Sequence, residues 1–344
     1  MKNTIYHKAV RELTEKLQAV PYETLSISSY NKSYIKGMIP AIGYFLKIYA
    51  TCLQQGIARS GKSPRELTMI DFGGGSGFLS MLAKSIGIGH VIYVDLNPLS
   101  VQAAFRLKEY TGTGADLFLE GSTEQLADWC RDTQSKPDLL IATDLIEHVY
   151  DLKRFFSGLV SINPALTMYF TTASTPYNPY VKRKLRRIMN SCETGSALSP
   201  NYFTKRYEYI RTQFPSLNEG ELNEWAHCTR GLTFGDINNV IQSDLKPVPC
   251  DPWNTCDPEN GNWTERILPI QKYRDYLEPY AYDVIVSKGF YNEQRDSLIK
   301  WAVCKCLNSL IGLTGKMGLL AAPFIIITCL PQGSSCKSDN PLST

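Results

Sequence analysis

The 344-residue chain lacks several features that would assign it to particular classes of protein. Its 36 basic and 33 acidic residues nearly balance, so no overall charge favours nucleic acid or a membrane surface as partner. The ten cysteines form no Cys-x-x-Cys pair, which argues against a zinc cluster. The first residues contain no apolar signal core, and we therefore expect a cytoplasmic location.

A glycine-rich stretch, Gly73 to Gly77, separates two segments of different periodicity. The run before it, Thr68 to Phe72, is typical of a buried strand. After it, apolar residues recur at helical spacing from Phe78 to Ile86. A glycine turn between a strand and a helix lets a ligand approach the backbone, and the start of the helix favours polar or anionic ligand groups.

Strand-like and helix-like segments alternate after this turn, and further strands are predicted at 91–94, 117–119, 138–143 and 166–172. This alternation predicts an α/β fold with a mostly parallel sheet and helices on both faces. Ligands of such sheets bind at the carboxyl ends of the strands. Three acidic residues stand at strand ends: Asp95, Glu120 and Asp144.

A glycine turn followed by a carboxylate at the end of the next strand suits a nucleoside ligand, because the carboxylate can accept from ribose hydroxyls. A dinucleotide fingerprint would be Gly-x-Gly-x-x-Gly. Here Phe78 occupies the last glycine position, so the spacing is Gly-x-Gly-x-Gly. This misfit favours a different adenosine-containing ligand over a dinucleotide.

The sequence of residues 70–77, Ile-Asp-Phe-Gly-Gly-Gly-Ser-Gly, resembles the first motif of class I S-adenosylmethionine-dependent methyltransferases. Asp95 resembles their ribose-binding acid, and Asp144 to His148 resembles their segment after the fourth strand. The resemblance implies a Rossmann-like seven-stranded sheet, mostly parallel with an antiparallel last strand and with helices on both faces. The sixth and seventh strands would lie at 282–287 and 323–330, the seventh between the fifth and the sixth.

The resemblance also implies S-adenosyl-L-methionine as cofactor and assigns the residues that would bind it. The implied contacts are Asp71, Gly73, Gly75 and Gly77 for the methionine end, Asp95 for the ribose, Leu96 for the adenine ring, Glu120, Gly121 or Ser122 for the adenine amino group, and Thr143 for the floor beside the sulfonium.

We predict five parts of the chain: a helical cap (1–67), a cofactor-binding core (68–173), an inserted substrate lid (174–275), the C-terminal part of the core sheet (276–333) and a flexible tail (334–344). In the cap, Tyr30, Tyr34 and Met38 are candidates to line the pocket, although packing alone explains them. The lid is much longer than a crossover needs.

The lid contains a basic run, with five cations in the six positions 182–187. A solvated helix face is the simpler explanation of this run. The functional alternative is capture of an anionic acceptor or of RNA.

Asp296 to Leu310 predicts a helix whose apolar side carries Leu298, Trp301, Ala302 and Cys306. The apolar stretch from 309 to 330 raises the alternative of a membrane segment. Lys316 and Pro323 interrupt it, so we predict a strand at its end and no membrane span.

Histidine is scarce, with four in the chain. If the methyl acceptor is a hydroxyl, a base near neutral pH assists, and the candidate catalytic residues are His227, His148 and Asp144. For His148 a structural hydrogen bond is the competing explanation. Asp144, Glu147 and His148 also resemble a metal site of some methyltransferases, with one helical turn bringing Asp144 and His148 together, but we predict no metal.

The sequence thus predicts a methyltransferase acting on an oxygen or nitrogen of a small molecule, glycan or lipid-linked intermediate, with an anionic acceptor as one option. Nucleic acid is disfavoured, since no Asn/Asp-Pro-Pro-Tyr follows the fourth strand. Two alternatives stay open: an RNA methyltransferase that uses the basic run, and a non-catalytic nucleoside-binding protein.

Overall fold

The computed structural model describes residues 2–197, 199–248, 251–294 and 297–333. The predicted tail, 334–344, and Asp296 lie outside the described residues. The chain forms two compact units. The first comprises the chain up to Thr143, Lys153–Thr171 and the chain from Arg274 onward, and the second comprises Asp144–Leu152 and Thr172–Tyr273.

A seven-stranded sheet forms the centre of the first unit, in the order β3-β2-β1-β4-β5-β7-β6. Pairing is parallel from β3 across to β5, and β7 runs antiparallel to β6. This arrangement confirms the predicted fold class, including the place of the last strand between the fifth and sixth. The strands are β1 Thr68–Phe72, β2 His90–Asp95, β3 Leu117–Glu120, β4 Leu139–Thr143, β5 Thr167–Thr172, β6 Tyr282–Lys288 and β7 Ile325–Pro331.

Helices account for most of the remaining described residues. They are α1 Lys2–Gln18, α2 Ser29–Met38, α3 Ile42–Ser60, α4 Phe78–Ile86, α5 Pro98–Thr111, α6 Thr123–Thr133, α7 Leu152–Ile162, α8 Pro179–Thr194, α9 Tyr202–Gln213, α10 Glu219–Cys228, α11 Phe234–Gln242, α12 Ile270–Leu277 and α13 Leu298–Leu313.

The helical cap (1–67) packs onto the sheet through apolar residues that recur every three or four positions. Leu13 and Leu17 of α1 are buried in the same core as Leu82 of α4. Helix α3 approaches β4 so closely that a Cβ at Gly56 would lie 2.7 Å from a methyl carbon of Leu139. The helical cap therefore contributes to the core of the first unit.

The second unit has a small core of its own, in which Ile210, Trp225 and Ile237 are buried. Beside it lies a buried ion pair: the guanidinium of Arg206 on α9 binds the carboxylate of Glu193 on α8. Arg206 Nε also donates to the Ala226 carbonyl at 3.1 Å, and Thr255 Oγ1 donates to Glu193 at 2.7 Å. These bonds join α8, α9, α10 and the loop at 255 within the second unit.

Within the part of the chain that the structure describes, no helix has both the length and the apolar character needed to cross a bilayer.

Replacing Arg206 by Met is expected to destabilise the second unit strongly, because the buried charge of Glu193 would keep only the more distant Arg230, whose Nε lies 3.8 Å away. The expected loss is ~3–5 kcal/mol in the free energy of unfolding. Lys205→Met is the matched control on the same helix, since Lys205 pairs with Asp257 while partly exposed and such pairs contribute ~0–1 kcal/mol. Urea unfolding followed by tryptophan fluorescence measures both; equal losses would contradict the structural role of the buried pair.

Candidate active site

The turn between β1 and α4 adopts backbone conformations that favour glycine. Gly73, Gly75 and Gly77 have φ values of +67°, +52° and +75°. Gly74 is required for a different reason, because a Cβ there would lie 2.5 Å from the ring of Tyr93. The turn also contains Ser76, whose buried hydroxyl has no hydrogen-bond partner among the described residues. The turn is thus a cradle of backbone with one unsatisfied hydroxyl.

Gly75 is held by two side chains of β2. Its N–H donates to Asp95 Oδ2 at 3.0 Å, and its carbonyl accepts from the Tyr93 hydroxyl at 2.6 Å. The other oxygen of Asp95 accepts from the Asn97 N–H at 2.8 Å. These bonds fix the orientation of the Asp95 carboxylate while leaving it further acceptor capacity.

Tyr93 was not among the predicted site residues. A tyrosine in a buried strand needs a hydrogen-bond partner for its hydroxyl, so its presence indicates a buried polar contact. Burial raises its pKa, and the nearby carboxylates Asp95 and Asp71 and the Tyr34 phenol raise it further. Tyr34 belongs to α2. Its ring stacks on that of Tyr30, with 6.5 Å between the centroids.

Asp71, predicted to contact the cofactor, is buried at the end of β1. Its Oδ2 accepts from both the N–H and the hydroxyl of Ser80, at 2.9 and 2.6 Å. This carboxyl therefore holds the first turn of α4. Burial raises the pKa of Asp71 to about 7.

The predicted adenine-side residues lie at the neighbouring strand end. Glu120 of β3 pairs in register with Asp95, and the Gly121 N–H donates to the Asp95 carbonyl at 3.0 Å. Ser122 caps α6, accepting from the Glu124 N–H at 3.1 Å. Leu96 is 70% exposed, which leaves its side chain available to a flat ring. Thr143 ends β4, half-buried. The first unit thus brings together all the predicted cofactor residues at the carboxyl ends of its strands.

The candidate catalytic residues Asp144 and His148 belong to the second unit, in the segment after β4. Asp144 has a left-handed conformation, with φ of +57°. The segment forms a turn in which the His148 N–H donates to the Leu145 carbonyl at 2.8 Å. The expectation that one helical turn aligns Asp144 with His148 is wrong, because the chain is not helical there.

Buried carboxyls follow in the same unit. Glu147 is fully buried, accepts from Thr172 Oγ1 at 2.7 Å and has one oxygen without a partner among the described residues. Burial, and then the charge of Asp144, raise its pKa well above the usual range. Glu265 accepts from Ser174 Oγ at 2.7 Å, and its pKa is also raised by burial and by Asp144. Glu265 was not among the predicted site residues, since it lies far along the chain from Asp144.

His148 and His227 have different surroundings. His148 Nδ1 lies 2.7 Å from the Trp263 carbonyl oxygen. A carbonyl only accepts, so Nδ1 carries the proton of the neutral ring and Nε2 is left as an acceptor. His227 is exposed in the last turn of α10, with its ring centroid 4.6 Å from that of Phe203. The catalytic role of either residue stays a prediction.

Among the described residues, no group of three or more His, Cys, Asp or Glu side chains is arranged to hold a metal ion.

The basic run of the second unit lines a cavity of about 630 Å³ on one side of α8. Arg186 pairs with Asp251 at 3.0 Å, and its guanidinium lies 5.8 Å from the centroid of the Trp253 ring. The other cations of this wall have no carboxylate partner within the described ranges. The lining residues are Pro179, Lys182, Arg183, Arg186, Arg187, Asn190 and Trp253.

Residues 50–164 match the family model described as ribosomal protein L11 methyltransferase (PrmA). A ribosomal protein L11 methyltransferase of Dechloromonas aromatica (strain RCB) is 34% identical over 85 residues, which are 24% of this chain and 28% of that protein. The chain therefore spans less than a third of the length of the curated relative it matches. Together with the sheet order, these matches confirm the resemblance of the core to class I S-adenosylmethionine-dependent methyltransferases.

Solved methyltransferase structures are similar at lower levels. A ribosomal protein L11 methylase of Lactobacillus delbrueckii subsp. bulgaricus shares 26% identity with a TM-score of 0.27, covering 34% of this chain and 56% of that one. A complex of the Trm112 methyltransferase activator with a methyltransferase from Haloferax volcanii gives 14% identity and a TM-score of 0.40, covering 86% and 93%.

The raised pKa of Asp71 predicts a pH dependence of stability. Between the ordinary carboxyl pKa and about 7, the folded chain holds a proton that the unfolded chain releases. The free energy of unfolding therefore falls as the pH rises through this window. We expect Asp71→Asn to flatten that fall, whereas Asp128→Asn, on an exposed helix face, leaves it unchanged. Thermal unfolding at pH 5 and pH 8 measures the difference; parallel curves for Asp71→Asn and the unaltered chain would contradict the assignment.

Proposed function

We propose that the protein is an S-adenosylmethionine-dependent methyltransferase that acts on an oxygen or nitrogen of an anionic small molecule, glycan or lipid-linked intermediate. The observation that carries the cofactor assignment is the pairing of Gly75 with Asp95: the glycine turn and a strand-end carboxylate are fixed to each other. The match of residues 50–164 to a methyltransferase family model supports it independently.

The described residues fit this cofactor. The glycine turn offers open backbone and the unsatisfied Ser76 hydroxyl for the methionine end. Asp95 would accept from the ribose hydroxyls, and the exposed Leu96 would cover the adenine. When bound, the cofactor supplies an electrophilic methyl group, so the protein's tasks are to position the acceptor and to remove its proton.

Proton removal is the task we assign to the second unit. His148 has Nε2 as a free acceptor position because Nδ1 is committed to the Trp263 carbonyl. Burial and the charge of Asp144 raise the pKa values of Glu147 and Glu265, so these two carboxyls hold their protons more tightly and are not assigned a charge-stabilising role. This geometry favours His148 over the exposed His227 as general base.

Recognition of the acceptor is the task we assign to the cavity beside α8. Unpaired guanidinium groups bind phosphate and carboxylate in bidentate fashion, and Trp253 adds an apolar wall on which a ring can stack. A protein acceptor is the second candidate, because the matched family is described as methylating ribosomal protein L11.

Asp95→Ala is expected to weaken binding of S-adenosylhomocysteine about 5- to 150-fold, since a lost acceptor contributes ~1–3 kcal/mol. Isothermal titration calorimetry with S-adenosylmethionine, S-adenosylhomocysteine and NAD measures this. Asp128→Ala, exposed on α6, serves as control and keeps full affinity. Binding of NAD without the other two ligands would refute the cofactor assignment.

Arg183→Gln/Arg187→Gln is expected to lower kcat/KM for the acceptor at least about tenfold while leaving cofactor affinity unchanged. The control Arg211→Gln/Lys246→Gln removes the same charge from exposed pairs of the same unit.

Transfer of labelled methyl from the cofactor to separated cell metabolites, peptides and RNA identifies the acceptor class. Transfer to RNA that is lost with rising salt would select the RNA alternative, and transfer to a peptide would select the protein one.

A further inference from the structure

Helix α13 presents its apolar side to solvent. Leu298, Ile299 and Leu313 are 83%, 77% and 87% exposed, values that are unusual for large aliphatic side chains in such number on one helix. The neighbouring positions on the same side are exposed as well: Ala302, Val303, Cys306 and Leu310. The surface continues into the following 3-10 helix, Gly315–Leu320, where Met317 and Leu320 are exposed.

Polar contacts on the opposite side hold α13 in this orientation. Asn308 accepts from the Tyr291 N–H at 2.7 Å and donates to the Tyr291 carbonyl at 3.0 Å. It also donates to Glu293 Oε1 at 2.7 Å. At the helix end, Lys288 of β6 donates to the carbonyls of Ile311 and Gly315. The side of the helix that faces the core carries Asn308 together with the buried Cys304 and Ile311, and the larger apolar side faces outward.

The segment that forms this surface carries charge of one sign. Lys300, Lys305 and Lys316 are exposed, and no Asp or Glu occurs in the sequence from Ser297 to Gln332. At helical spacing, Lys300 and Lys305 lie on either flank of the outward apolar side. The Lys305 ammonium lies 4.8 Å from the centroid of the half-exposed Trp301 ring. Lysines with long stems and a tryptophan at the border are typical of a helix that lies in a membrane–water interface.

We propose that α13 and the 3-10 helix after it, residues 298–320, form a docking surface for an anionic lipid bilayer. The outward aliphatic side chains enter the boundary between headgroups and acyl chains, and the flanking lysines contact anionic headgroups. The surface lies wholly within the first unit, so this inference does not depend on the proposed methyl transfer. It concerns binding on one face of a bilayer and not a crossing of it.

A second copy of the chain is the competing occupant. Positions 299, 303, 306, 310 and 313 follow a 4-3 spacing, but over two heptads, which is short for a coiled coil. A two-fold pair would also bring lysine towards lysine with no carboxylate in the segment to compensate. The exposed Leu298, Met317 and Leu320 extend the apolar area beyond a narrow seam. These observations favour a lipid surface.

Sedimentation of the full-length protein with vesicles tests the proposal. We expect binding to vesicles of phosphatidylglycerol and phosphatidylcholine in equal parts, and weaker binding to phosphatidylcholine alone. Ile299→Ser/Leu310→Ser/Leu313→Ser is expected to lower the partition coefficient at least about tenfold. Lys300→Gln/Lys305→Gln/Lys316→Gln is expected to remove the preference for anionic lipid.

The matched control is Ile5→Ser/Leu245→Ser/Val248→Ser, which removes exposed aliphatic side chains elsewhere and should bind as the unaltered chain does. Absence of sedimentation with either vesicle, or equal loss in the control, would overturn the proposal. Light scattering measures the molar mass of the protein. A dimer that the serine variant converts to a monomer, without vesicle binding, would assign the surface to a second copy of the chain. Cofactor affinity by calorimetry stays unchanged in every variant, which separates this test from that of the proposed function.

Discussion

The candidate cofactor site depends on the double attachment of Gly75 to β2. Both hydrogen bonds require the observed backbone conformation of the turn. Gly75 has a left-handed conformation, and Gly74 has no room for a Cβ beside Tyr93. The Tyr93 hydroxyl binds the carbonyl of Gly75, and the Asp95 carboxylate binds its N–H, so both bonds attach this residue to β2. The shape of the turn is thus determined by the neighbouring strand as much as by its own glycines.

The strands and the strand-end acids were predictable because their signals are local. A buried parallel strand is a continuous apolar run, and the carboxyl ends of such strands meet at one edge of the sheet. Asp95, Glu120 and Thr143 therefore fell where expected. Glu265 was not predicted. It is more than a hundred residues from Asp144 in the sequence, and no local pattern indicates that the fold brings the two together. Trp263 is buried and Trp253 lines the basic cavity, a difference that the sequence does not show.

Helix α13 shows that apolar periodicity predicts a helix but does not predict which side of it faces the core. Leu298, Trp301, Ala302 and Cys306 do share a side, as their spacing predicts. That side would ordinarily face the core. Here the side that faces inward carries Asn308, which bonds to Tyr291, together with the buried Cys304 and Ile311, and Lys288 of β6 donates to the Ile311 carbonyl at the end of the helix. A single asparagine on a helix gives no such warning in the sequence.

The position of β7 in the sheet has a consequence for biosynthesis. Since β7 pairs with β5 on one side and β6 on the other, the edge of β5 stays open until β7 has been synthesised. The residues of the second unit, which separate β5 from β6, emerge during that interval. A nascent chain with an unpaired strand edge is prone to wrong association. Closure of the sheet therefore has to await β7, and a chain truncated before β7 would keep an open strand edge and be a client of chaperones.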